Sequence, residues 1–504
     1  MQIINIYSKR ERRKRMTDTK KTGGRMIFRA VRPILLILAF LLLAEGCRRY
    51  EPVALDPSFD PDNLPESSEI EVTLEAESEE ETSEAETEPE ETEPEEEPDT
   101  RVPTKVKGIY LASKPLANKE FMSKFWDYMD QTELNAVVID IKDDYGKVTY
   151  DMKNVPALVE LKSIEVSIED MPGLMKKFKE HGIYTIARIV SMRDPHLGYV
   201  KPEWCLQLPD GTVFRDNSNY AWLNPYKTEY WDYLLDIGRE CAHIGFDEIQ
   251  FDYIRFCTEK GSSEVVYDEA DVRGRDKISI ITEAVTYLSE NLRKEGVFVS
   301  CDVFGTIIRS QIDSRAVGQS YSQMAACIDY ICPMVYPSHY ASGSFGLDAP
   351  DRYPYEAIRG ALQRSRTELS RAQAETAGKQ AIVRPWLQSF TATWLGGGKY
   401  MAYDAEAVRQ EIQGVYDAGY DEWILWSASV KYFYDGLLSP EAAAAEEIRI
   451  AESRAALPPE EDPANMEETF PPELDEALNG EELYPEDESI LLQDGPIITE
   501  EESV

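Results

Sequence analysis

From residue 106 onward the chain alternates between two patterns. Short runs rich in β-branched and aromatic residues are followed by longer stretches whose apolar positions recur three and four apart. The first pattern predicts strands covered on both faces, the second amphipathic helices. Strands are predicted at Lys107–Leu111, Ala136–Ile141, Ile183–Val190, Glu248–Tyr253, Val297–Val303, Tyr330–Val335, Ala381–Trp386 and Trp423–Ser427. Helical spacing marks Lys119–Leu134, Met171–Glu180, Thr228–His243, Lys277–Glu295 and Ala405–Ala418. Several helices run into a glycine just before the next strand, as at His181-Gly182, Ile244-Gly245 and Ala418-Gly419, which suits a C-cap. Eight strands alternating with helices predict an α/β fold, a (β/α)8 TIM barrel. A doubly wound sheet competes less well, because nothing like GxGxxG follows the first strand.

A different pattern opens the chain. Residues 9–32 are basic, and an unbroken apolar run, Ile34 to Ala44, leads into Glu45-Gly46-Cys47. A basic stretch followed by a short apolar one reads as an export signal. The run falls well short of the roughly 20 residues that a helix needs to cross a bilayer. Cys47 after Gly46 resembles the lipobox of bacterial lipoproteins, although Ala44 and Glu45 stand where such boxes favour Leu and Ala. The resemblance implies lipidation of Cys47 and a location on the extracellular side of the cell membrane. Plain secretion and a retained signal anchor stay open as alternatives. Met26 is a more typical signal start than Met1.

Charge divides the rest. The 504-residue chain has a formal net charge of −41, yet residues 51–100 carry 22 acids and 455–504 carry 17, neither segment having any Lys or Arg. The middle is therefore only mildly acidic. The predicted organisation is an export segment at 1–47, a disordered acidic linker at 48–104, a barrel domain at 105–440 and an acidic, mostly disordered tail at 441–504. The linker's repeated Glu, Thr and Pro predict an extended tether. Nucleic acid is excluded as a partner, since phosphate neutralisation needs clustered Lys and Arg. Seven cysteines form no CxxC pair, and four histidines form no HxH or HExxH group, so no metal or cofactor is expected. No GxSxG nucleophile motif occurs, and Gly396-Gly-Gly-Lys399 lacks P-loop spacing.

In barrels of this kind chemistry lies at the C-terminal ends of strands. The second strand places Asp140 and Lys142 on one face. In the fourth, Glu248, Gln250 and Asp252 share a face while Ile249, Phe251 and Tyr253 share the other, so the polar set should point inward. The fifth strand adds Ser300 and, at its end, Asp302. Two carboxyls on neighbouring strand ends suit glycoside hydrolysis, the retaining form needing a separation of roughly 5–5.5 Å. One acid could instead be a structural partner of Arg188 or Arg255. Aromatic residues cluster at the same ends, among them Tyr110, Trp204, Trp222, Tyr253, Tyr336, Tyr340, Trp386, Trp394 and Trp426. Sugar rings present apolar C–H faces that such side chains can stack against.

The segments Gly245–Phe256 (GFDEIQFDYIRF), Cys332–Tyr340 (CPMVYPSHY) and Arg384–Gln388 (RPWLQ) together resemble a glycoside hydrolase-like domain of secreted and lipoprotein-anchored bacterial proteins. The opening Val106–Tyr110 and the closing Trp423–Ser427 fit as well. The resemblance spans about 105–437 and implies a (β/α)8 barrel distantly related to amylase-like hydrolases. Members commonly have Pro after FDYIRF, where this chain has Cys257.

The reading that follows is an exported glycoside hydrolase acting on an extracellular or cell-wall polysaccharide. Asp252 is expected as nucleophile, Asp302 as general acid/base and Asp140 as a third acid, with the first two roles exchangeable. Asp268 or Glu269 is a substitute proton donor. Tyr110, Lys142, Arg188, Gln250, Tyr253, Arg255, Tyr336, His339, Trp386 and Trp426 are expected to bind the oligosaccharide. The competing reading is a non-catalytic glycan-binding or cell-envelope scaffold on the same barrel.

Overall fold

A computed structural model describes residues 99–376 and 379–456. The export segment with Cys47, nearly all of the linker and the tail beyond 456 lie outside the described residues. Nine strand segments follow in order: β1 (Lys107–Leu111), β2 (Ala136–Lys142), β3 (Tyr184–Val190), β4 (Glu248–Asp252), β5 (Phe298–Phe304), β6 (Tyr330–Met334), β7 (Ile382–Val383), β8 (Trp386–Gln388) and β9 (Trp423–Trp426). All described pairings between them are parallel, and the ring closes through β1 with β9 and β5 with β6. β7 and β8 both pair with β6, so they are two pieces of one barrel position. Between them lies Arg384-Pro385, and proline has no N–H to give the ladder. The result is the predicted eight-position (β/α)8 barrel.

The strands form where the sequence alternates only weakly, because both faces are covered. Every residue of β2 and β3 is buried. Ile139, Ile189 and Phe251, which alternate with the polar positions, are buried in the hydrophobic core. Helix Glu229–Ile244 ends on Gly245 at φ 102°, a left-handed cap that turns the chain into β4. Register then sets the interior. Asp140 pairs with Arg188, Arg188 with Gln250, Gln250 with Ser300 and Asp302 with Cys332. Partners in a parallel ladder project to the same side, so these polar groups share the barrel's inside.

Three details depart from the sequence pattern. The register shifts between Asp140 and Lys142, so the two do not share a face as period two predicts. β4 stops at Asp252 because Tyr253 takes a left-handed φ of 51°. β5 runs on to Phe304, which leaves Asp302 two residues inside the strand rather than at its end.

Both ends of the described chain bind at the N-terminal ends of strands. Arg101 donates to Val297 O and pairs with Asp329, just before β5 and β6. Helix Pro440–Ala455 occupies the first part of the segment expected as tail, held by Lys107–Glu447 and Arg454–Asp421 ion pairs. The opposite rim, where the strands end, is left for the site. The six described cysteines, Cys205, Cys241, Cys257, Cys301, Cys327 and Cys332, are free thiols.

Candidate active site

The loop after β2 is built around a buried ion pair. Lys142 Nζ lies 2.7 Å from Asp194 Oδ2 and donates to Val190 O, with both side chains sealed from solvent. Asp194 in turn fixes the turn Asp143–Lys147. A Cβ at Gly146, where φ is 76°, would sit 2.1 Å from Asp194 Oδ1, so only glycine fits. Asp143 completes the turn by accepting from Tyr145 N and Lys147 N at 3.0 and 2.9 Å. Lys142, expected to bind substrate, thus braces this loop from below. The loop carries Asp144 over the barrel mouth.

Arg188 is the hub of the mouth. Its Nη1 donates to Asp140 Oδ1 at 2.7 Å and reaches Asp144 Oδ2 at 3.5 Å. Its Nε and Nη2 both donate to Asp252 Oδ2, at 2.9 and 2.6 Å. Tyr253 N donates to the other oxygen, Asp252 Oδ1, at 2.6 Å. Three donors therefore converge on Asp252, two from the guanidinium and one from the backbone. Tyr253 itself is left-handed, and a non-glycine residue there carries backbone strain of roughly 1–3 kcal/mol. Tyr110 donates its hydroxyl to Asp140 Oδ2.

Asp302 stands in a different environment. It is 2 % exposed, and Trp386 Nε1 donates to its Oδ1 at 2.6 Å. Burial pushes its carboxyl well above the usual range, and the neighbouring charge of Asp252 pushes the same way. Burial also lifts Asp140 to about 6, with Arg188 opposing. Asp144 goes the other way: burial raises it, but Arg188 and Arg193 together outweigh burial and hold it low. The mouth thus sets a buried acid whose carboxyl is pushed upward near a carboxyl bound by arginine, and acid–base chemistry draws on such differences in environment.

Aromatic rings close around these acids. Tyr110 and Trp426 lie 4.3 Å apart, and Trp386 meets Trp426 edge-on at 5.8 Å. Arg188 lies 5.8 Å from the ring centroids of Tyr110 and of Trp426. Tyr336 is buried with its hydroxyl held protonated, by burial first and then by the charges of Asp302 and Asp252. His339 packs edge-on against Tyr336 at 5.2 Å and meets Ser338 Oγ at 3.0 Å through Nδ1.

Other expected residues lie apart from this group. Gln250 sits deeper, its Nε2 reaching Cys332 Sγ at 3.6 Å. Arg255 is buried over the rings of Phe304 and Trp222, at 4.6 and 4.8 Å, and donates to Phe256 O. Asp268 caps the short helix Glu269–Val272, and both Asp268 and Glu269 are exposed. Asp144 and Arg193 were not singled out in the sequence. Arg193 Nη2 pairs with Asp144 Oδ1, and its guanidinium lies 3.9 Å over the Tyr253 ring. Their signal was positional, since Asp144 follows β2 by two residues and Arg193 follows β3 by three. Among the described residues no group of three His, Cys, Asp or Glu side chains is placed to hold a metal.

The profile of the family described as "Putative glycosyl hydrolase domain" matches residues 108–432, from β1 past the last strand. The chain belongs to this family. Its matched span contains every residue of the mouth described above. The glycosyl hydrolase-family chain is also similar to several solved structures. A hypothetical protein from Ruminiclostridium thermocellum ATCC 27405 is 37% identical over 39% of this chain and 97% of its own, with a TM-score of 0.36. The PgaB (BpsB) glycoside hydrolase domain from Bordetella bronchiseptica is 12% identical over 71% of this chain and 100% of its own, at TM-score 0.44. The α-galactosidase of Thermus thermophilus, in complex with p-nitrophenyl α-D-galactopyranoside, is 13% identical over 70% and 63%, at TM-score 0.38. No curated protein matches the chain.

Proposed function

We propose that the barrel hydrolyses glycosidic bonds of an extracellular or cell-wall polysaccharide by a two-carboxylate, retaining mechanism. One observation carries the proposal. Asp252 accepts from Arg188 at Nε and Nη2 and from Tyr253 N, while burial and the nearby Asp252 push the Asp302 carboxyl well above the usual range. In the first step Asp302 gives its proton to the glycosidic oxygen as the bond to the anomeric carbon breaks. Asp252 bonds to that carbon and forms a glycosyl ester. In the second step the Asp302 carboxylate takes a proton from water, the water oxygen bonds to the anomeric carbon, and Asp252 leaves. Trp386 engages Oδ1 of Asp302, which leaves Oδ2 to carry the proton. Asp140 sets how much of Arg188's charge Asp252 feels.

Purified protein assayed on wall and storage polysaccharides should release reducing ends. Asp252→Asn should lower that rate on the order of 10³-fold or more while leaving the melting curve cooperative. Unchanged turnover in Asp252→Asn sinks the nucleophile assignment. The deep burial of Asp302 favours a second reading, a glycan-binding scaffold in which the arginine–carboxylate group is structural. Binding without turnover on any glycan in the panel would establish that reading.

For location, export and lipidation at Cys47 would tether the domain outside the cell membrane. Cys47→Ala should then move the protein from the membrane fraction to the medium, measured by fractionation. A wild-type protein already free in the medium rules the lipid out.

A further inference from the structure

Two rows of aromatic rings leave the acids in opposite directions. One starts at Tyr336, passes to Phe390 edge-on at 5.8 Å and continues to Trp394, stacked on Phe390 at 5.8 Å and 26°. Trp394 is 44% exposed and stands beside Gly396–Gly398, where no neighbour crowds the backbone. The other row starts at Tyr253, next in sequence to Asp252. Arg193 bridges the rings of Tyr253 and Tyr220, at 3.9 and 5.4 Å from their centroids. Tyr220 then meets Tyr145 edge-on at 6.2 Å, and Tyr145 is 56% exposed.

The barrel places these rows across the mouth from one another. Tyr145 follows β2, and Tyr220 lies in the connection after β3; Phe390 and Trp394 follow β8. In the closed ring β2 is four positions from β6, and β3 four from β8, half of the circumference. Trp394 and Tyr145, each at the outer end of a row that leads back to the acids, present half-exposed ring faces for a ligand in the mouth to cover. The covering group must be wet on one side and apolar on the other, and it must continue past the acids. The C–H faces and hydroxyls of a sugar chain meet both demands.

We infer that the mouth binds a glycan chain lying across it, with sugar rings on Trp394 and Phe390 at one side and on Tyr145 and Tyr220 at the other. Resting on the hydrolase reading above, this makes the enzyme endo-acting: the bond over Asp252 and Asp302 is internal to the bound chain.

The test uses the purified full chain. Its probes are cello-, malto-, xylo- and chitohexaose with their disaccharides, each labelled at the reducing end. Tryptophan fluorescence reads binding, and chromatography reads the products. The hexasaccharide that binds should do so at least about tenfold more tightly than its disaccharide. Trp394→Ala and Tyr145→Ala should each weaken it about tenfold. Tyr128→Ala, on the helix Lys119–Gln131 away from both rows, should not. The first products should come from the middle of the chain. Hexasaccharide affinity equal to the disaccharide's, unchanged affinity in both variants, or release of one sugar at a time from an end overturns the inference while leaving hydrolysis standing. Tight, length-dependent binding that both variants weaken, together with turnover unaffected by Asp252→Asn, upholds the groove and overturns the mechanism. No binding to any of the four hexasaccharides overturns the groove for β-glucan, α-glucan, xylan and chitin chains.

Discussion

Among the buried arginines of the barrel, Arg384 and Arg188 are each set between carboxylates, and they differ in what surrounds them. Near the strand starts, Arg384 donates from Nη1 to both oxygens of Glu248 and from Nε to Glu422 Oε2, all between 2.8 and 2.9 Å. Its guanidinium lies 3.8 Å over the Tyr330 ring, and the Arg384 and Glu248 side chains are wholly sealed. Near the strand ends, Arg188 holds Asp140 and Asp252 by similar bonds, but Asp144 beside it is 29% exposed, and the group opens toward the loops. The same pairing is thus a structural rivet where the barrel is closed and a charge-setting device where it is open. An arginine–carboxylate pair identifies a site only through what can reach it.

The largest expected effects separate the two groups. Arg188→Ala leaves Asp140 and Asp252 without their shared cation and should cut turnover on the order of 10²–10³-fold, read from initial rates. Arg384→Ala should instead destabilise the fold by about 3–5 kcal/mol in denaturant melts, because Glu248 stays buried without its partner. The fraction still folded should turn over nearly as wild type. The reverse pattern would collapse the distinction between mouth and floor.

Protonation sharpens the contrast next. Asp302 keeps its proton in the folded state at pH values where the unfolded chain has released it. Wild-type stability therefore carries no penalty from Asp302 below the ordinary carboxylate range and loses roughly 1.4 kcal/mol per pH unit between that range and the raised folded-state value. Asp302→Asn removes that loss, so its melting temperature should gain on wild type as pH rises. A gap that is flat with pH would place the proton elsewhere. The smallest effect concerns Asp140, lifted to about 6. Turnover should rise through that pH as Asp140 ionises and anchors Arg188 in place beside Asp252. Asp140→Asn should remove that limb of the pH–rate profile.

Much of this was legible along the chain. The alternation of buried strands with amphipathic helices pointed to eight barrel positions, and the inward polar set of β4 pointed to Asp252. Asp140 and Asp302 were singled out by position as well, and the structure places both inside the barrel. Period two failed where the backbone departs from it: at the register shift before Lys142 and at the left-handed Tyr253. Lys142 looked like a substrate ligand because nothing near it in sequence shows Asp194, its partner after the next strand. Asp144 and Arg193 escaped notice because loop residues carry no periodic signal.

Sequence alone determined the architecture, since strand and helix patterns reflect contacts between residues two to four apart and turn residues mark their ends. It also narrowed the chemistry to acids and aromatics at strand ends. Only the tertiary structure decided which acid is bound by arginine and which is kept neutral. Arg188 and Asp252 are 64 positions apart, and Trp386 and Asp302 are 84 apart. Charge and desolvation act through space, and the barrel's closure is what brings those groups within a few ångströms and shuts water away from one of them.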